Sequence, residues 1–227
     1  MPFTYQFPDP ATADHDGLLA VGGDLSQESL ITAYSQGIFP WFTENSPILW
    51  WSPDPRMVLF PSKFILTDSL RQSIKNSGFT VRIDSDFASV IEHCEKAPRK
   101  GQDGTWITKE MKQAYINLHK KGLAHSFETW HNDELAGGLY GVSLGRAFFG
   151  ESMFYLKRDA SKFALYALTQ WCLSHEFHFI DAQQSTSHLK SLGAEDIPRH
   201  LFLKLLKEAL KFETIANNWN ISSLRGA

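Results

Sequence analysis

The sequence predicts an α+β protein in two parts: a small loop-rich N-terminal domain over residues 1–63, and a larger domain with a mainly antiparallel sheet over 64–227. Three observations point that way. Residues 125–130, 134–142 and 146–154 alternate apolar and polar positions with turn-forming residues between them, the pattern of an antiparallel meander. A helical run over 159–174 and a further strand-like run, 177–182, follow it directly. The N-terminal part is instead dense in proline, glycine and aromatic side chains and shows little periodicity.

Taken in order, the chain opens with a loop-rich stretch holding one short strand, 18–21. Ser26 stands as N-cap of a helix over 27–36, which Gly37 closes. Residues 37–56, GIFPWFTENSPILWWSPDPR, carry four prolines and three tryptophans without a helical or strand period, and read as an ordered loop built on aromatic side chains. A strand at 57–60 ends at Pro61. The elements then alternate: helix 68–76, strand 80–83, helix 87–96, a polar basic loop 98–104, and a helix 109–120 capped by Thr108 and ended by Gly122. On that last helix Met111, Ala114, Tyr115 and Leu118 fall at three- and four-residue spacing, so one face packs while the other carries Lys109, Lys112 and Lys120. Turns are expected at 131–133 and 143–145 within the meander, with a helical piece near Ser187 and a final amphipathic helix over 198–210. Antiparallel strands, a long helix and a returning strand describe the core of an acyltransferase of the GNAT type.

Composition narrows the function. No stretch approaches the roughly 20 apolar residues of a membrane span, and the start, MPFTYQFPDP, lacks the basic and apolar regions of a signal peptide, so a cytoplasmic protein is expected, without membrane contact and as a monomer. Cys94 and Cys172 each lie in a predicted helix and read as reduced, packed thiols. A net charge of −3 argues against wrapping long nucleic acid but leaves room for a local basic face. Of seven tryptophans, Trp41, Trp50, Trp51 and Trp106 lie in Pro- or Gly-rich segments, where an indole is as well placed to line a site as to fill a core.

Two carboxylates carry the chemistry. Glu151 interrupts the apolar run FFGESMF, and Asp181 ends the run FHFI, with Gln183 two residues on and therefore on the same face of a strand. Such groups can fix a cation or accept a proton, whereas a solvent-facing Glu and a strand-ending Asp are the plainer alternatives. His175 and His178 form the closest histidine pair, without a third ligand at usable spacing, so no metal is expected. A coenzyme-A enzyme of this fold places a glycine-rich pyrophosphate loop before the long helix. The corresponding residues here, YLKRDASK, contain no glycine, so a different donor and no cofactor are expected.

In order along the chain, GLLAVGGDLS (17–26), QGIFPWF (36–42), ILWWSPDPR (48–56), GTWIT (104–108), GGLYGV (137–142), FFGESMF (148–154), ASK (160–162), IDAQ (180–183) and SLGAEDIPR (191–199) resemble the leucyl/phenylalanyl-tRNA–protein transferase family. The resemblance implies transfer of Leu or Phe, less efficiently Met, from aminoacyl-tRNA to proteins with N-terminal Arg or Lys, which marks them for N-end rule degradation. It implies that Asp181 and Gln183 handle the proton and orient the amine while Glu151 holds the cationic acceptor. Trp41 and Trp106 match positions that grip the 3′ adenosine, and Met153, Leu165, Leu168, Cys172 and Ile180 match an aminoacyl pocket with Leu139 and Phe148 near its entrance. Arg99, Lys100, Lys109, Lys112, Lys120, Lys121, Lys157, Arg158 and Lys162 are candidates for the tRNA body. A non-catalytic binder of tRNA 3′ ends and a GNAT-fold acyltransferase with another donor are the alternatives.

Overall fold

Alternation along the meander gives each strand two faces, and both are buried. In the computed structural model, which describes residues 6–97, 105–217 and 219–220, these strands lie within a seven-stranded sheet with helices on both sides. The N-terminal segment contributes β1 (Leu18–Val21), α1 (Gln27–Ser35), β2 (Phe39–Pro40) and β3 (Leu49–Trp51). Then come β4 (Arg56–Leu59), α2 (Asp68–Asn76), β5 (Thr80–Ile83), α3 (Phe87–Lys96) and α4 (Lys109–Lys120). The meander is β6 (Ala124–His131), β7 (Glu134–Leu144) and β8 (Ala147–Tyr155), followed by α5 (Ala160–Ser174), β9 (Phe179–Gln183), α6 (Ser187–Ser191), β10 (Glu195–Ile197) and α7 (Arg199–Ala209).

The helix starts follow from local chemistry. Ser26, Thr67, Asp86 and Thr108 each accept a hydrogen bond from the backbone N–H three residues on, satisfying a donor that the first turn would leave open. Each such cap is worth about 1 kcal/mol. In the large sheet the strand order is β10-β4-β9-β8-β7-β6-β5, and neighbours are antiparallel except β8 and β9. Those two run parallel because α5 carries the chain back between them as a crossover. Val58, Phe149 and Phe179 face one cluster, with α1, α3, α4 and α7; Met57, Leu59, Phe148 and Ile180 face the other, with α2 and α5.

The α+β architecture with a mainly antiparallel large sheet is as expected, and four details differ. Residues 37–56 are not all loop, since β2 and β3 join β1 in a small sheet of order β1-β3-β2. Strands of two and three residues are too short to show a period. The same holds for β10, which the sequence pattern does not anticipate. β7 continues through Ser143 and Leu144, whose side chain is buried, and the chain turns at Gly145, with φ +56°. Finally, β4 pairs with β9 and β10, so the chain enters the large sheet at Arg56, inside the stretch assigned to the first domain. Residues 98–104, and with them Arg99 and Lys100, lie outside the described residues. Among the described residues no helix is long and apolar enough to cross a membrane.

Candidate active site

Two breaks in the large sheet build the site. In the β7–β8 ladder Tyr140 pairs with Ser152 and Gly141 with Gly150, which leaves Glu151 as the extra residue of a β-bulge. Gly141 permits this approach, because a Cβ there would lie 2.2 Å from the Phe149 carbonyl oxygen. The parallel pairing of β8 with β9 ends at Phe149 and Asp181, so the strands part just where Glu151 and Gln183 stand. Gln183 has φ +62°, a left-handed conformation that strains a residue with a side chain and is characteristic of sites.

That turn changes the geometry expected from strand alternation. The Gln183 backbone N–H donates back to Asp181 Oδ1 (2.9 Å), while its side-chain Nε2 reaches across the gap and donates to Glu151 Oε1 (2.8 Å). Glu151 also accepts from the Tyr34 hydroxyl of α1 (2.7 Å, at Oε1) and from the Tyr115 hydroxyl of α4 (2.8 Å, at Oε2). Burial raises the Glu151 pKa to about 7, against the pull of these three donors, and the nearby Asp181 charge adds to the rise. Burial and Glu151 push both tyrosine hydroxyls well up, so they remain protonated donors.

Asp181 is held differently. It is fully buried and receives a two-pronged contact from Arg56, Nε to Oδ1 at 2.8 Å and Nη2 to Oδ2 at 2.6 Å. Arg56 is itself fully buried, donates from Nη1 to the Gly37 carbonyl (3.1 Å), and has its guanidinium between the rings of Phe39 (4.8 Å) and Phe202 (4.5 Å). The oxygens of Asp181 are thus engaged by Arg56 and by the Gln183 backbone, those of Glu151 by neutral donors alone, and both residues line a cavity.

The cavity has a volume of about 140 Å³. Met153, Leu165, Leu168 and Ile180, which the resemblance matched to a pocket, line it together with Leu139, matched to its entrance, and Glu151, Asp181 and Gln183 form its polar side. An apolar cavity of about 150 Å³ holds a benzene ring, so this space suits one branched aliphatic or phenyl group. Leu59, Tyr140 and Leu189 also line it and were not foreseen. Phe148 is not at the entrance: it is fully buried, 6.5 Å from Phe127 and 6.1 Å from Trp219 between ring centroids. Cys172 lies in the same apolar cluster rather than in the lining, its thiol pushed well up by burial. Trp41 and Trp106 are half-buried and pack against the cluster on the opposite face of the sheet, with Trp41 edge-on to Trp51 at 5.6 Å.

Of the basic candidates, Lys112 pairs with Glu95, Lys157 contacts His131, and Lys120 and Lys121 border a hollow beside α1. Arg158 and Lys162 line a second cavity at the start of α5. Arg56, Tyr34 and Tyr115 bind the two carboxylates and are not evident from the sequence as their partners. The available signal for Arg56 was a charge set between the apolar runs ILWW and MVLF; the tyrosines gave none, lying on helix faces that read as core. Among the described residues no group of three or more His, Cys, Asp or Glu side chains could hold a metal ion.

Comparison with known proteins gives concordant results. A profile described as "Leucyl/phenylalanyl-tRNA protein transferase" matches residues 58–207, and one described as the N-terminal domain of the same family matches 23–54. A protein of Desulfatibacillum aliphaticivorans named leucyl/phenylalanyl-tRNA–protein transferase is 52% identical over 97% of this chain and 94% of its own length. A protein of the same name from Thermodesulfovibrio yellowstonii is 55% identical over 94% of this chain and 87% of its own. Among solved structures, L-PGS from Bacillus licheniformis resembles the chain with a TM-score of 0.41 at 13% identity, over 71% of this chain and 52% of that one.

Proposed function

Because the chain belongs to the leucyl/phenylalanyl-tRNA–protein transferase family and is an aminoacyltransferase acting between tRNA and protein, we propose that it moves Leu or Phe, and less efficiently Met, to proteins beginning with Arg or Lys. The observation that carries the donor choice is the apolar cavity of about 140 Å³ opening on Glu151. Aliphatic walls leave a charged side chain unsolvated, and the volume matches leucyl, phenylalanyl or methionyl groups better than smaller ones. An acceptor N-terminus with an Arg or Lys side chain is doubly cationic, and it meets a mouth whose carboxylate without a cationic partner is Glu151. The product carries a destabilising N-terminus for N-end rule degradation, in the cytoplasm, with the enzyme acting as a monomer.

The chemistry is ester aminolysis. The acceptor ammonium first yields one proton to Glu151; the free amine then attacks the ester carbonyl, an amide bond forms, the bond to the ribose oxygen breaks with a proton passed to that oxygen, and the remaining proton leaves to water. Glu151, at about 7, is close to an α-ammonium at about 7.7–8.0, so taking that proton is nearly thermoneutral. Tyr34, Tyr115 and the Gln183 side chain hold the carboxylate in place, and Gln183 orients the incoming amine beside it. Asp181, locked by Arg56, acts as a positioning residue that fixes the turn at Gln183. Trp41 and Trp106 stack on the terminal adenosine, a contact worth about 1–3 kcal/mol per base.

The test is transfer of labelled Phe, Leu, Met and Asp from their tRNAs to peptides beginning with Arg, Lys or Ala. Labelled product from Phe- and Leu-tRNA with Arg and Lys peptides is expected. Equal transfer to the Ala peptide, or from Asp-tRNA, contradicts the proposal.

A further inference from the structure

The second cavity, of about 510 Å³, is formed by Tyr155, Arg158, Asp159, Ser161, Lys162 and His188. It adjoins the aminoacyl cavity along the same three elements. Met153 and Tyr155 share a face of the strand, Leu165 and Lys162 sit one turn apart on α5, and His188 precedes Leu189 on α6, the first cavity using one of each pair and the second the other. Its exposed lining combines the Arg158 cation with Tyr155 and His188, and Lys162 is part-exposed beside them. The Arg158 side chain is 87% exposed and that of Lys162 35%, while the Asp159 side chain is 9% exposed and receives both cations together with the Ser73 hydroxyl. Asp159 therefore anchors the two cations from behind and leaves their outward N–H groups for a ligand. Tyr155, 68% exposed at the rim, presents a large aromatic face to solvent.

We propose that this cavity binds a backbone phosphate of the single-stranded 3′ end of the donor RNA, with Tyr155 stacking on an adjoining base. Cations for phosphate beside an aromatic platform are the elements by which proteins hold single strands. A cationic N-terminal peptide would be repelled here, so among the two substrates of this reaction the anionic one fits. The inference rests on the proposed use of an aminoacyl-tRNA donor and adds to it a second point of attachment.

The experiment compares two donors, Phe-tRNA and phenylalanyl-adenosine, which carries the same ester without any phosphate, in the wild-type protein and in Arg158→Ala/Lys162→Gln. Arg158→Glu alone, at a side chain that holds nothing in the core, guards against loss of folding. The expected result is a KM for Phe-tRNA raised about tenfold for the lost phosphate contact, with the log–log salt dependence shallower by about 0.7. Kinetics with phenylalanyl-adenosine should be unchanged. An unaltered KM and salt slope with Phe-tRNA, or an equal loss with both donors, overturns the phosphate site. A wild-type protein that uses neither donor would instead overturn the functional reading beneath it.

Discussion

At the scale of single residues, the site separates two carboxylates by what surrounds them. Glu151 has neutral donors around it and a pKa of about 7, while Asp181 has a buried guanidinium against both of its oxygens. The first can exchange a proton near neutrality, and the second is held by Arg56. Removing Arg56 would leave Asp181 buried without its partner, so Arg56→Ala is expected to destabilise the protein by about 3–5 kcal/mol in urea unfolding. Arg56→Lys keeps the charge but loses the two-pronged contact, and is expected to lower transfer more than it lowers stability, since the turn at Gln183 loses its support. A stable, fully active Arg56→Ala protein would show that the pair does not position the site. Both carboxylates could be picked out from the sequence because each stands in an apolar run. Their partners could not, because Arg56 and Asp181 are 125 residues apart in the chain and Tyr34 and Glu151 are 117 apart.

At the scale of elements, the cavity depends on how closely α5 lies against β7. A Cβ on Gly137 would fall 2.7 Å from the Ala160 Cβ and 3.0 Å from the Ser161 nitrogen, so glycine at this position sets the spacing. Gly137→Ala is expected to push the start of α5 outward, costing about 1–3 kcal/mol of stability, and to raise the KM for Phe-tRNA as Leu165 and Leu168 leave the cavity wall. An unchanged KM would place the determinant of donor binding elsewhere. Helices were legible because their signals are local: α4 runs from Thr108 as cap to the glycine turn, and its apolar spacing lies within its own twelve residues. The strands β2, β3 and β10 were not, since two or three residues cannot display a period and pairing partners decide them. The bulge at Glu151 was equally hidden, being a mismatch between two strands rather than a property of either.

At the scale of the whole molecule, the two parts read from composition behave as one unit around the site. Tyr34 reaches Glu151, Arg56 reaches Asp181, and Phe39 and Phe202 enclose the Arg56 guanidinium from opposite ends of the chain. The cluster containing Leu30 and Trp50 is continuous with Val90, Tyr115 and Phe149. Unfolding is therefore expected as a single transition, coincident by tryptophan fluorescence and far-UV circular dichroism; an early transition seen only in fluorescence would contradict this coupling. Glu151 is the group proposed to take the amine proton, and the pH dependence of kcat for transfer from Phe-tRNA to an Arg-starting peptide tests that role most directly. Protonated Glu151 cannot accept, so the wild-type rate should fall as pH drops through about 7. In Glu151→Gln the amine must lose its proton to water, so the limb should move up to about 7.7–8.0 and the plateau should drop by about 100-fold or more. A Glu151→Gln protein with the wild-type limb and a rate within about twofold of wild type would contradict the account.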